Sequence, residues 1–128
     1  NKYIEYAKVF GNYYGSLNKN VKRNLNSGFD VLFDIDWQGS LQLKNSNHPN
    51  ILTIFITPPS KAEIYKRLKL RAKKSGDDER AINNRLNMYE TEMSHHNEYD
   101  YVVENNNFEE CISRIKKIIE TTRKKLNK

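Results

Sequence analysis

The sequence predicts an α/β domain around a mostly parallel sheet flanked by helices, and three observations carry that expectation. Two short runs, "DVLFDID" at Asp30–Asp36 and "ILTIFIT" at Ile51–Thr57, are rich in β-branched and aromatic residues and read as buried parallel strands. Helical patterns alternate with such runs. The last of them places Phe108, Cys111, Ile112, Ile115, Ile118 and Ile119 on one face, as a helix covering a sheet requires.

From the start of the chain, Lys2 to Val9 fits either a strand or a short helix. "GNYYG", Gly11–Gly15, reads as a tight turn whose glycines permit close backbone approach. Asn20 to Asn26 is a short helical stretch stopped by Ser27 and Gly28. The first apolar run then ends in Asp34 and Asp36, which strand alternation would put on one face. Two acids there are costly unless cations or donors answer them, and helix capping or a salt bridge is the structural alternative. Pro58 and Pro59 close the second run. Ser60 with Glu63 makes a capping box for a helix to about Ala72, "KKSGDDE" is a polar loop, and a second long helix runs from about Asp78 to Asn97. Tyr101–Glu104 is a third strand, and Asn107 is the best cap for the final helix.

Composition narrows the function classes. The 128 residues suffice for one modest domain, and a start at Asn1 without an initiator Met suggests a piece of a longer chain. No apolar run approaches the ~18 residues of a membrane span. The single cysteine, Cys111, forms no internal disulfide, lies in no zinc pattern and is expected in the core, which points to a cytoplasmic protein. His95 and His96 have no partner at metal-ligand spacing and read as structural. A net charge of +6 suggests an anionic partner, with the excess at Lys61–Lys74 and in the tail Arg114–Lys128, where it reads as a solvated helix face.

The strings "IEYAKVFGNYYGS", "VLFDIDWQG", "FITPPS", the arginines of "KRLKLRA" and "INNRL", and "EMSHHNEYDYVVENN" occur in the order found in guanylate kinases. The chain resembles that family over essentially its whole length. The resemblance implies a phosphate-loop nucleoside monophosphate kinase fold, with a GMP-binding portion at about 1–29 and a core at about 30–128 that carries a lid at about 69–84. It implies transfer of the γ-phosphoryl of ATP to GMP, giving ADP and GDP, with Mg2+. GMP and ATP are then the partners, with no nucleic acid and no membrane, and the oligomeric state is left open.

The resemblance also assigns residues. Glu5 and Ser16 match the carboxylate and hydroxyl that read the guanine edge, Tyr14 the tyrosine that binds the GMP phosphate, and Asp36 the acid that reaches the exocyclic amine. Tyr13 is expected to pack. Asp34 matches an acid near magnesium and its waters. Arg71 and Arg85 correspond to lid arginines that neutralise the moving phosphoryl group, Arg67 and Arg71 face ATP, and Asn105 matches an asparagine near adenine.

Two departures stand out. "KLRAKKSGDDER" replaces a glycine-bearing lid segment and is a few residues longer. No glycine-rich phosphate loop ending in Lys-Ser or Lys-Thr occurs, and the five glycines lack its spacing, so these residues alone are expected to be poorly stable and inactive. The alternative function is a non-catalytic guanylate-kinase-like module that binds phosphopeptides, which survival of the GMP and lid positions together argues against.

Overall fold

The computed structural model describes residues 2–9 and 11–126. Asn1, Phe10 and the last two residues of the basic tail lie outside the described residues. The chain forms two compact units, Asn1–Ile51 and Leu52–Lys128.

In the first unit, β1 (Tyr3–Val9) and β2 (Asn12–Leu17) form an antiparallel hairpin. The open reading of Lys2 to Val9 is thus settled as a strand. Gly11, at φ +81°, makes the turn between them. "GNYYG" is therefore not a tight turn as expected, because both tyrosines lie within β2, where aromatic side chains fit the pleated surface. Tyr14 sits opposite Ala7, and Tyr13 opposite Lys8. Helix α1 (Asn18–Asn26) follows directly and buries Val21.

The run expected as the first parallel strand is not one. No described segment offers residues 30–36 a backbone ladder, and Leu32 within the run is 93% exposed. A strand exists only through its pairing, and apolar β-branched composition does not supply a partner. The segment instead delivers Asp36 to the start of α2 (Trp37–Lys44), which buries Gly39, Ser40 and Leu43. Helix α2 also closes the edge of β1. Gln42 accepts from the Tyr6 N–H at 2.8 Å and donates to the Tyr6 carbonyl at 2.6 Å. Gln38 Nε2 reaches the Lys8 carbonyl at 3.5 Å. Side-chain amides one helical turn apart thus occupy backbone groups that would otherwise form an open strand edge.

The second unit holds β3 (Ile54–Thr57) and β4 (Tyr101–Glu104), paired in parallel as expected. β3 starts at Ile54 rather than Ile51, however, and is buried only in part: Ile56, opposite the fully buried Val103, is 51% exposed because no further described strand lies beside β3. Just before the ladder, the Thr53 N–H donates to Asp100 and the Asp100 N–H to Thr53 Oγ1, each at 2.9 Å. The parallel sheet among the described residues is this pair alone; the other sheet is antiparallel.

Helix α3 (Lys61–Ser75) begins at Ser60, whose hydroxyl accepts from the Glu63 N–H at 3.1 Å. It continues past Ala72, and Gly76, at φ +77°, ends it. The basic residues Lys73 and Lys74 favour that extension, since cations suit the carboxyl end of a helix. Helix α4 (Glu79–Ser94) starts at Asp78, which accepts from the Ala81 N–H at 2.9 Å, so the expected polar loop shrinks to three residues, 76–78. His95 caps its end and His96 enters a 3-10 turn, so the helix stops short of Asn97. Helix α5 (Phe108–Leu126) has the expected Asn107 cap, accepting from the Glu110 N–H at 3.1 Å, and buries Cys111. Phe108, at its first position, is 70% exposed and Ile112 is exposed as well, so the covered apolar face narrows to Cys111, Ile115, Ile118 and Ile119. No helix among the described residues is long and apolar enough to cross a membrane.

Candidate functional site

The hairpin brings three of the sequence-derived residues onto one face. In an antiparallel pair, directly opposed residues share a face and alternate along each strand. Glu5 opposes Ser16, and Ala7 opposes Tyr14, so the row is Glu5, Ala7, Tyr14 and Ser16. Glu5 is buried, only 3% exposed, which would be costly for a carboxylate without donors. Ser16 supplies one, with its hydroxyl 2.6 Å from Glu5 Oε1. On the other side, Glu5 Oε2 lies against Gly39 of α2, where an added Cβ would approach it to 2.7 Å. Glycine at that place lets the helix come down on the carboxylate.

Tyr14 is 61% exposed and its hydroxyl makes no hydrogen bond among the described residues. Tyr13 does not pack as expected: it occupies the opposite, outward face and is 74% exposed, with Lys8 Nζ 5.6 Å from its ring centroid. Its register opposite Lys8 dictates that placement.

Asp36 and Asp34 part company. Asp36 caps α2, its Oδ1 accepting from the N–H groups of Gln38 at 3.1 Å and Gly39 at 3.2 Å, and its Oδ2 from Gln38 Nε2 at 2.9 Å. Helix capping was the structural alternative for this pair, and it holds for Asp36. Asp34 is exposed and lines a cavity of about 410 Å³ with Ser16, Asn20, Asn24 and Phe33. With no strand there, the expected common face for the two acids does not form. Neither Glu5, Tyr14 nor Asp36 lines that cavity. Among the described residues, no group of three or more His, Cys, Asp and Glu is arranged to hold a metal ion.

The second unit carries the arginines. Arg67 is half-buried, its Nε 3.2 Å from Glu63 Oε1 and its Nη2 donating to the Asn105 carbonyl at 3.1 Å. Two of the three residues assigned to ATP are thereby joined, through the backbone of Asn105 rather than its amide. The Asn105 N–H in turn donates to the Thr57 carbonyl at 2.7 Å, so the residue extends the parallel ladder. Arg71 stands one turn beyond Arg67 on α3 and is exposed. Arg85, on α4, lies with its Nε 3.5 Å from Asp77 Oδ2 in the short loop. Further contacts brace α3 against α4: Lys61 pairs with Glu90, and Tyr65 donates to Glu79 at 3.0 Å. Lys69 lies over the Tyr65 ring at 4.8 Å; its pKa is raised, chiefly by the hydrogen bond and charge of Tyr65.

Sequence reasoning missed Gly39, Gln38, Gln42 and Asp77. The two glutamines carried a readable signal, a spacing of four on one helix. Gly39 and Asp77 act through partners distant in the sequence, and nothing local marked them.

The guanylate kinase family model matches residues 1–122. The guanylate kinase of Rickettsia felis is 47% identical over 125 residues, which cover 98% of this chain and 63% of that protein. The guanylate kinase of Vibrio cholerae is 42% identical over 127 residues, covering 99% of this chain and 59% of that protein. The crystal structure of guanylate kinase from Anaplasma phagocytophilum aligns with a TM-score of 0.75 at 35% identity, over 94% of this chain and 55% of that one. The chain thus spans less than two thirds of the length of these relatives.

Proposed function

Because the chain belongs to the guanylate kinase family, we propose that the complete protein transfers the γ-phosphoryl of ATP to GMP, giving ADP and GDP. The observation that carries this reading is the buried Glu5 carboxylate held by Ser16 on one face of the β1–β2 hairpin.

Guanine offers an acceptor at O6 and donors at N1 and N2. A carboxylate has about four lone-pair sites, and Ser16 fills one of those on Glu5. Glu5 is thus able to accept from N1 and N2. The Ser16 hydroxyl has a single proton, so donating to O6 requires it to leave Glu5. Binding then exchanges one internal hydrogen bond for several to the base, with the charge-assisted ones the strongest. Adenine has an acceptor at N1 and no carbonyl at C6, so it cannot drive this exchange: Ser16 stays on Glu5, and the adenine N1 lone pair faces the carboxylate without a hydrogen bond, at a cost of about 1–3 kcal/mol relative to guanine.

Asp36 is the acid for the exocyclic amine. Its cap uses three acceptor sites and leaves one on Oδ2 for a further donor. Tyr14, on the same face as Glu5 and with its hydroxyl unoccupied, binds the GMP phosphate. Phosphoryl transfer needs alignment and neutralisation of charge, and the planar forks of Arg71 and Arg85 suit oxygen atoms of the moving group. Arg67 and Asn105 form the ATP side, where Arg67 fixes the Asn105 backbone. Magnesium, when bound, shields phosphate charge; the exposed Asp34 fits it as a single carboxylate acting through water, since magnesium keeps several waters and takes phosphate oxygens as ligands. The cytoplasm is the proposed location.

The test is Glu5→Gln in the complete protein, with initial rates measured for GMP and AMP. The expected result is a GMP constant raised about 10- to 100-fold, as loss of charged hydrogen bonds predicts, with a narrowed preference over AMP. Unchanged kinetics with both nucleotides would remove Glu5 from the base pocket.

A further inference from the structure

Helix α1 carries a cationic face that the site above leaves unused. Lys19, Lys22, Arg23 and Asn26 fall at successive spacings of three, one and three residues, so they share one side of the helix. With Lys2, Asn18 and Ser27 they line a concavity of about 750 Å³. No carboxylate is among the lining residues, and none of the four cations forms an ion pair among the described residues. Residues 2–29 contain five cations and one carboxylate, and that carboxylate is Glu5, buried and held by Ser16. Four like charges around one hollow repel each other, and an anion seated among them relieves that repulsion.

A second, independent feature lies in the same hollow. Asn18 Oδ1 is buried without a hydrogen-bond partner, although the Asn18 N–H is satisfied by the Lys2 carbonyl at 3.1 Å. Buried acceptors are normally paired; this one lies just beneath the wall of the hollow, and a small turn of the Asn18 side chain would present it to a donor from a guest. A guest that satisfies both features carries phosphates for the cations and a hydroxyl for Asn18. The volume lies within the ~300–1,000 Å³ typical of small-molecule sites, which favours a compact molecule over a nucleic-acid strand. The hollow is also distinct from the cavity at Ser16, since that one takes Asn20, Val21 and Asn24 from a different side of α1.

We propose that Lys2, Lys19, Lys22 and Arg23, together with Asn18 in the same wall, form a second anion site that takes a compact, hydroxyl-bearing polyphosphate. The test is an amide NMR titration of the complete protein with a pentose bisphosphate, at low and at physiological salt. The expected result is saturable shifts at the amides of Lys19, Lys22, Arg23 and Asn26 and at the Asn18 side-chain amide, weakening as salt rises. The double variant Lys19→Glu/Lys22→Glu is expected to weaken binding about tenfold or more, since two attractions become repulsions, while GMP binding stays unchanged. Should its unfolding midpoint fall, Lys19→Gln/Lys22→Gln repeats the measurement without adding repulsion. Absence of saturable shifts at these amides, or shifts that persist in the variants, would overturn the proposal. Tighter binding of single-stranded RNA at the same amides would overturn it too, making the face a nucleic-acid surface.

Discussion

Replacing Gly39 with alanine sets two effects of known sign against each other. Gly39 is the third residue of α2, in its first turn, where glycine to alanine stabilises by at most the value for a helix interior, about 0.8–1 kcal/mol. The new Cβ, however, would stand 2.7 Å from Glu5 Oε2, 3.1 Å from Ile35 Cβ and 3.2 Å from Ile35 Cδ1. The first contact is too short to persist and the other two are tight, so the carboxylate or the helix must give way by several tenths of an ångström. Overpacking of this kind costs about 1–3 kcal/mol, and the movable end of Glu5 favours the low end. The two terms nearly cancel in stability. They do not cancel in binding, because the displaced group is the carboxylate proposed to read guanine, and a charged hydrogen bond lost there is worth about 1.5–3 kcal/mol. We therefore expect Gly39→Ala to unfold in urea within about 1–2 kcal/mol of the wild type while its GMP constant rises about tenfold or more. Urea unfolding and initial-rate kinetics on the complete protein measure the two quantities separately. A variant that gains about 1 kcal/mol and binds GMP normally would refute the placement of Glu5 beneath Gly39.

Asp36→Asn separates the two roles of that residue: asparagine caps helices as well as aspartate does, so only the bond from Gln38 Nε2 to Oδ2 is lost and stability should fall by no more than about 1–2 kcal/mol, while GMP affinity falls if the carboxylate takes the exocyclic amine. Equal GMP constants for the two proteins would leave Asp36 as a cap alone. Thr53→Val keeps the volume of a buried residue but leaves the Asp100 N–H without its acceptor, and should lower unfolding free energy in urea by about 1–3 kcal/mol. An unchanged urea midpoint would show that the Thr53–Asp100 clip does not stabilise the β3–β4 pair.

What the sequence made legible was local. Ser60, Asp78 and Asn107 stand at the starts of α3, α4 and α5 because each side chain bonds a backbone group three residues on, within reach of any reading of the chain. The stretch Lys2–Val9 stayed open between strand and helix because its mixed pattern suits both, and only the β2 partner decides. The error at residues 30–36 has the same origin: their composition is that of a strand, and the described residues offer no ladder for it. In the candidate site, Glu5 and Ser16 were named by resemblance alone. Their contact rests on a register that pairs residues eleven apart, and no local rule fixes such a register.

Helix α2 shows why few residues without chemistry of their own govern the site. A two-stranded hairpin is marginal by itself, so the strand carrying Glu5 depends on what covers it. Asp36 fixes the first turn of α2 by accepting from Gln38 and Gly39. That turn aims Gln38, and one turn later Gln42, at the open edge of β1, where Gln42 satisfies both backbone groups of Tyr6. Tyr6 is the neighbour of Glu5, so the clamp sets the depth of the carboxylate as well as the strand edge. Gly39, between the two glutamines, then has to be glycine for the clamp and the carboxylate to coexist. Cap, clamp and glycine form one chain of dependence that ends on Glu5. The position of the proposed guanine-reading group is consequently set from α2 as much as from the hairpin that bears it.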